Sequence, residues 1–354
     1  MDKKDIEKHS PGYEKLHVRI KQLIRNHINA HRPEYLPSER AFQHNLNVSR
    51  TTLRKALKEL ALEKRIVAVH GKGYRVLSCS AAPLTGKIGL AIRANSSEYE
   101  VMVFNHIIEY IYRLGFQPVM TVVNPRYEPA SEKLAKLMSE VDGMVAVSSL
   151  LALDGVKAAL SNAPCRCVAA PYSFQEEHGF TSISAEMFNS YTRLTEFLLD
   201  KGHRRIALLI DECDQVRYRG VKRAFVRHGI EFIPELIFSC RGYRHYGYER
   251  LGDALASGLE FSAVICQNDA CALGVIERCL KERLDVPGRI SVIGFDNIPD
   301  SARFPVPLTT VGIDLDRLAK TALDMLFEGI RTGQAVSPTA IPARLLERES
   351  VRQL

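Results

Sequence analysis

The sequence predicts a mixed α/β protein: an N-terminal winged helix-turn-helix followed by a larger two-lobed body of parallel sheets flanked by helices. Three observations predict it. The excess of positive charge is confined to the first quarter, where residues 1–80 hold 17 Lys/Arg against 8 Asp/Glu while the remainder holds 31 against 33. Within that quarter, Leu36-Pro37-Ser38-Glu39-Arg40 and Val48-Ser49-Arg50-Thr51-Thr52-Leu53-Arg54 place two cappable helix starts around a short turn. From Gly86 onward, short apolar strands alternate with amphipathic helices, the rhythm of right-handed βαβ units.

The head is read in order. Residues 13–30 carry Leu16, Ile20, Leu23, Ile24 and Ile28 at helical spacing. Pro33 and Pro37 break the chain after them. Ser38 caps a second short helix with Phe42 and Leu46 inward, Asn47-Val48 makes the turn, and Ser49 caps a third helix to about Leu62. Leu53, Leu57 and Leu60 form its buried face. Two alternating runs, Ile66-Val67-Ala68-Val69 and Tyr74-Arg75-Val76-Leu77, flank His70-Gly71-Lys72-Gly73 and read as a hairpin. These elements make a DNA-binding unit of residues 1–77.

Residues 78–85, rich in Ser, Ala and Pro, read as a linker. The body occupies residues 86–354. Its strand candidates are 87–92, 118–123, 143–147, 166–170, 205–210, 263–266 and 290–295. Helices fall between them, as at 101–114, 187–201, 216–228 and 269–283. Such alternation implies parallel sheets covered on both faces. The span is long for one sheet, so two lobes with a ligand crevice outside the strand carboxyl ends are expected.

Composition narrows the function. The apolar fraction of 46% is ordinary for a globular chain. A basic module joined to a near-neutral body suggests a polyanion partner for the module alone. The N-terminus opens no apolar run and no stretch is apolar for about 18 residues, so no signal peptide, no membrane span and a cytoplasmic location are expected. The cysteines Cys79, Cys165, Cys167, Cys213, Cys240, Cys266, Cys271 and Cys279 show no zinc-site spacing and read as reduced thiols. No metal, cofactor or catalytic residue is expected. The sequence has no GxxxxGK phosphate cradle and no nucleophile elbow, and His203 lies in a helix-to-strand turn where a structural role is expected.

The third helix carries the chemistry of the head. Arg50 and Arg54, four apart, share a face and suit bidentate bonding to guanine, while Thr51 and Thr52 suit a phosphate or a thymine methyl. Arg40 is placed for a phosphate, and Lys72 at the wing tip for backbone or minor groove. On these residues, with Ala56-Leu57-x-x-Leu60 and Gly71-Lys72-Gly73, residues 13–77 resemble the GntR-type winged helix. The resemblance implies that Arg40, Arg50 and Arg54 contact operator DNA, as do Ser49, Thr51 and Thr52, and that His70 and Gly71 reach the groove. Lys64-Arg65-Ile66 departs from the family, which often has a glycine at the entry to the wing.

A second signature lies in the body. Gly202-His203-Arg204-Arg205-Ile206-Ala207 precedes a strand, and Arg217-x-x-Gly220 begins a helix. Gln267-Asn268-Asp269-x-x-Ala272-x-Gly274 and Ser291-Val292-Ile293-Gly294-Phe295-Asp296-Asn297 follow or end strands, and Pro307-Leu308-Thr309-Thr310-Val311 comes after. Arg217, Asn268 and Asp296 are a forked donor, a mixed donor/acceptor and an acceptor, a set that suits vicinal hydroxyls. Taken singly, each has an ordinary reading: surface charge, helix cap and turn residue. Together, residues 86–348 resemble the LacI/GalR effector domain, which is similar to periplasmic sugar-binding proteins. The resemblance implies effector contacts from Arg217, Asn268 and Asp296, and from the segment Ala94-Asn95-Ser96-Ser97-Glu98-Tyr99. Tyr99 and Tyr243 are candidate rings against a sugar face, or simply core and surface aromatics. Two departures are Ala185-Glu186, where the family commonly has Asp-Asn at the first lobe crossing, and the absence of a hinge-helix counterpart in residues 78–85.

A GntR head on a LacI-type body is the arrangement of arabinose-repressor-type regulators. The sequence therefore predicts a ligand-responsive repressor without enzymatic activity. It is expected to be a homodimer on double-stranded, palindromic operator DNA, released by a sugar or sugar derivative. The alternative is a corepressor-dependent regulator sensing a non-sugar metabolite such as a purine. A sugar carrier or chemoreceptor, an aminotransferase-like enzyme and a UTRA-type sensor fit the motifs less well.

Overall fold

The computed structural model describes residues 16–31, 33–63, 65–69, 72–76, 85–163, 166–171 and 180–354. The start of the first predicted helix, the wing residues His70 and Gly71, Lys64, the expected boundary at 77/78 with all of the linker but Thr85, and Cys79 and Cys165 lie outside them.

The head consists of α1 (Leu16–His31), α2 (Glu39–Leu46), α3 (Arg50–Leu62) and an antiparallel hairpin of β1 (Ile66–Val69) and β2 (Gly73–Val76). Ser38 caps α2 by accepting from the Ala41 amide at 3.2 Å, and Asn47 ends it in the left-handed region at φ 50°. Ile20, Ile24, Phe42, Leu46, Leu53, Leu57, Leu60 and Ile66 close a single small core. A further strand-like segment, absent from the sequence reading, joins the wing: Leu36 donates to the Tyr74 carbonyl (2.8 Å) and Val76 to that of Glu34 (2.9 Å).

The body begins with β3 (Lys87–Arg93), α4 (Glu98–Arg113), β4 (Gln117–Val123), α5 (Ala130–Glu140), β5 (Gly143–Ala146), α6 (Val156–Ser161), β6 (Cys167–Ala169) and β7 (Thr181–Ala185). At Ala185-Glu186 the chain crosses to a second lobe. That lobe contains α7 (Met187–Asp200), β8 (Ile206–Ile210), α8 (Gln215–Arg227), β9 (Ile237–Ser239), α9 (Arg244–Ala256), β10 (Ala263–Cys266), α10 (Asp269–Lys281), β11 (Ser291–Ile293), α11 (Pro299–Arg303) and β12 (Thr310–Ile313). A second crossing returns it as α12 (Leu315–Thr332) and β13 (Thr339–Ile341), and a third leads to β14 (Ala343–Leu346).

The first sheet runs β4-β3-β5-β6-β7-β13 and the second β9-β8-β10-β11, all parallel. β12 and β14 pair antiparallel beside β11. The strand period of two sends alternate residues into different cores. Ile88 and Leu90 meet α4 and α12 on one face, while Ala91, Met144 and Ala146 meet α5 and α6 on the other. In the second lobe, Leu209, Val264 and Cys266 pack toward α9 and α10, and Leu208, Ile210 and Ile265 toward α7 and α8. The predicted α/β class and parallel sheets are present. Among the described residues β7, β9, β12, β13 and β14 are strands that the sequence reading did not list.

Candidate functional site

The first candidate surface is the outer face of α3. Ser49 caps the helix by accepting from the Thr52 amide (3.2 Å), and its hydroxyl lies 2.9 Å from that of Thr51 and 2.7 Å from that of Thr52. A cluster of three hydroxyls thus stands at a helix start, where backbone amides already favour a phosphate. Arg50 and Arg54 share one partner. Arg54 Nε donates to Glu39 Oε1 (3.3 Å) and Oε2 (3.1 Å), and Arg50 Nε lies 3.4 Å from Oε2. Their side chains remain 64% and 55% exposed. Such exposed pairs are worth only about 0–1 kcal/mol, so exchanging Glu39 for a nucleic-acid acceptor costs little.

Charge on α3 is sorted by face. Arg50, Arg54, Lys55 and Lys58 are exposed. The helix's acid Glu59 turns inward to Lys21 (2.7 Å) and His17 (3.3 Å) of α1, and Glu63 just beyond it pairs with Lys21 and Arg25. Arg40 is exposed on α2, and Lys72 is exposed with its Nζ 6.0 Å from the centre of the Tyr35 ring.

The second candidate site is the crevice between the lobes. Tyr99, at the start of α4, packs against both the first-lobe core beneath α4 and the second-lobe core beneath α10. Burial, followed by the negative charge of Asp296, raises its hydroxyl well above the usual tyrosine value, with Arg217 opposing. The crevice therefore joins Tyr99 of one lobe to Asp296 and Arg217 of the other.

Each polar group is positioned from beneath. Arg217 Nε donates to the Tyr191 hydroxyl (3.1 Å) and its Nη1 pairs with Asp214, the cap of α8. The buried Tyr191 donates in turn to the Gln267 carbonyl (2.8 Å), and its ring stacks on Phe295 with centroids 5.4 Å apart. Asn268 caps α10, accepting from the Cys271 amide (3.0 Å) and donating to the Gly242 carbonyl (3.0 Å). The cap reading of Asn268 is therefore realised. Beside it, buried Asp269 accepts from the Ile298 amide (3.0 Å) and from Thr310. Burial raises its carboxyl to about 7 against these bonds. A Cβ at Gly294 would stand 2.3 Å from Asp269 Oδ1, so the glycine makes room for that carboxylate. Asp296 has its amide on the Val311 carbonyl (2.7 Å) and a carboxyl raised well above the usual range, by burial first and then by the charge of Asp269.

On the first-lobe side Glu100 closes a capping box on α4. It accepts from the Ser97 amide (3.1 Å), the Ser149 amide (2.7 Å) and the Ser148 hydroxyl (3.0 Å). Tyr243 follows Gly242, the carbonyl partner of Asn268; it is 53% exposed and stacks on His245 at 5.9 Å.

Sequence reasoning passed over Glu39, Glu100, Tyr191 and Asp214 as site residues. Ser97-x-x-Glu100 is a legible capping box and Asp214 a legible cap. No local signal marks Tyr191, which reads as one more apolar position of α7. His203 has a structural place, buried with Nδ1 2.8 Å from Ser262 Oγ and Nε2 3.2 Å from the Arg352 carbonyl. Among the described residues no group of three or more His, Cys, Asp or Glu is placed to hold a metal, and no helix is long and apolar enough to cross a membrane.

Comparisons with known proteins divide along the same line. Residues 13–76 match the model of bacterial regulatory proteins of the gntR family, and residues 195–351 match that of the periplasmic binding protein-like domain. An HTH-type transcriptional repressor PurR from Glaesserella parasuis serovar 5 is 29% identical over 282 residues, covering 76% of this chain and 82% of that protein. A LacI-family transcriptional regulator from Sanguibacter keddieii superposes with a TM-score of 0.64 at 25% identity, over 75% of this chain and 98% of the other. One from Enterococcus faecium with bound ribose gives 0.65 at 21% identity, over 76% and 99%.

Proposed function

We propose that this chain, a gntR-type helix-turn-helix head fused to a periplasmic-binding-protein-like body of LacI-type fold, is a ligand-responsive transcription repressor that a sugar or sugar derivative releases from a palindromic operator. The observation that carries the reading is the pairing, in one chain, of an exposed cationic helix face with a crevice whose polar groups come from two lobes. In the head, Arg50 and Arg54 read base edges. Ser49, Thr51, Thr52 and Arg40 hold phosphates, and Lys72 reaches backbone from the wing with His70 and Gly71. In the body, Tyr99, Arg217, Asn268 and Asp296 contact the effector, with Tyr243 at its edge.

The active form is a homodimer, two heads meeting two half-sites. An exposed apolar strip on neighbouring elements, Val101 and Tyr112 of α4 with Met120 and Val122 of β4, supports a partner surface on the first lobe. Effector binding changes lobe closure and hence the spacing of the heads, to the extent that it favours one state over the other.

A second reading, a corepressor-dependent regulator that senses a non-sugar metabolite such as a purine, is favoured by the likeness to a relative named PurR. One experiment separates the two. The purified protein is incubated with the promoter fragment upstream of its own operon, and gel retardation is followed with and without pentoses, hexoses, disaccharides and purines. Loss of the retarded band with a sugar supports the first reading. A band that requires a purine overturns it in favour of the second, and no retardation under any condition overturns both.

A further inference from the structure

In open α/β sheets a ligand phosphate or carboxylate is ordinarily seated on the amides of a helix N-terminus beside the strand carboxyl ends. Three such N-termini carry the candidate residues Tyr99, Arg217 and Asn268, those of α4, α8 and α10, and at each a side-chain oxygen of the chain already takes an amide. At α4, Glu100 takes the Ser97 and Ser149 amides (3.1 and 2.7 Å). At α8, Asp214 takes the Arg217 amide (3.1 Å) and pairs with the Arg217 side chain. At α10, the Asn268 side chain takes the Cys271 amide, and Asp269, the first helical residue, lays a buried carboxylate alongside.

The cation acting on both Asp296 and Tyr99 is Arg217, and it is largely spent. Its Nη1 is on Asp214 and its Nε on the Tyr191 hydroxyl, which itself donates to the Gln267 carbonyl. Arg93, at the end of β3, shares the strand face of Gly89 and Ala91, which packs toward α5. A ligand anion at these three seats would thus meet carboxylates at two of them, the Asn268 carboxamide oxygen with the Asp269 carboxyl beside it at the third, and a guanidinium already paired.

We infer that the effector of this crevice carries no phosphate or other negative charge. It is an uncharged molecule rich in hydrogen-bond donors that face Asp296, and phosphorylated sugars and nucleotides are excluded. This rests on the crevice being the effector site, and it narrows both readings of the function: it admits a free sugar or a free base and rejects their phosphates.

The test uses the full-length protein and matched pairs, ribose with ribose 5-phosphate, glucose with glucose 6-phosphate, and adenine with AMP, titrated by calorimetry and by operator release. In any pair that binds, the uncharged member should bind at least about 100-fold more tightly, the size expected from like-charge juxtaposition. A phosphorylated member that binds as tightly or more so overturns the inference. Inorganic phosphate is then titrated into the wild type and into Asp214→Asn, which keeps a capping side chain while removing the charge and releasing Arg217. Phosphate affinity should rise about tenfold or more in the variant, on the scale of a charge-assisted bond. No gain, or saturable submillimolar phosphate binding by the wild type, overturns the inference. A gain in the variant while no compound alters operator binding supports the charge rule and removes the sensor reading instead.

Discussion

Asp296 and Asn297 hold backbone conformations that L-residues resist, with φ of 117° and 55°. Each such residue costs about 1–3 kcal/mol and persists only where its surroundings over-determine it. Here the Asp296 amide is tied to Val311 and the Asn297 side chain accepts from Arg348 (2.7 Å). The result aims a half-buried carboxylate at the crevice. Its raised pKa gives a prediction with a definite sign. Effector hydroxyls donating to Asp296 favour the ionised form, so binding draws its pKa down and releases a proton. Affinity should therefore climb as pH rises through the range above the ordinary carboxylate value, and Asp296→Asn should flatten that slope. In the unliganded protein the contribution of this group to stability runs the other way. It is present at low pH and lost as pH rises through the raised value, and Asp269, raised to about 7, adds to the same trend. At the head, Arg50→Ala should weaken operator binding by about 1–3 kcal/mol and relax preference at one base position in a binding-site selection. Residues of this kind were legible where a motif marks a strand end or helix start, as with Arg217, Asn268 and Asp296. The supports that fix them were not. Tyr191 comes under Arg217 only because α7 packs on α8, a contact that no local pattern encodes.

Among the elements, the caps and the close helix crossing carry the sharpest expectations. Ser49→Ala removes the acceptor of the Thr52 amide and breaks the hydroxyl cluster, and should cost about 0.5–2 kcal/mol in denaturant unfolding. The contact of α9 with α10 depends on two glycines. A Cβ at Gly274 would stand 1.9 Å from the Arg244 carbonyl oxygen, and one at Gly247 2.0 Å from that of Cys271. Because backbone cannot yield as a side-chain end can, Gly274→Ala should cost about 1–3 kcal/mol by overpacking. At Gly258 the added Cβ meets nothing, and only the backbone preference at φ 70° is lost, so Gly258→Ala should be the milder in a paired thermal melt. The long apolar strands and amphipathic helices could be read from the sequence because their periodicity is strong. β7 could not: Thr181-Ser182-Ile183-Ser184-Ala185 is polar in composition yet mostly buried between β6 and β13. β9 and β13 are three residues each, too short for any period to show.

At the scale of the whole molecule, the division into a basic head and a near-neutral body follows from charge and rhythm alone. The path between lobes does not. It passes at Ala185-Glu186, again between β12 and α12, and again between β13 and β14, so that the last strands complete sheets begun long before. Three crossings held side by side, with the Glu186 amide on the Ile341 carbonyl (3.1 Å), form a natural axis for a change in lobe closure. The exposed strip on α4 and β4 carries the dimer prediction. Met120→Lys with Val122→Lys should halve the mass found in analytical ultracentrifugation and weaken operator binding without unfolding the head. An unchanged dimer would move the interface elsewhere.

Control of the head by the crevice can be followed in one titration. A fluorescent operator duplex bound to the full-length protein is followed by anisotropy as uncharged sugars are added, with the wild type and Asp296→Ala side by side. One sugar should release the wild type from DNA, and the variant should bind the duplex as tightly as the wild type but no longer respond to that sugar. A variant released by the sugar with the same dose dependence as the wild type, or a wild type that no uncharged ligand moves, would contradict control by the crevice.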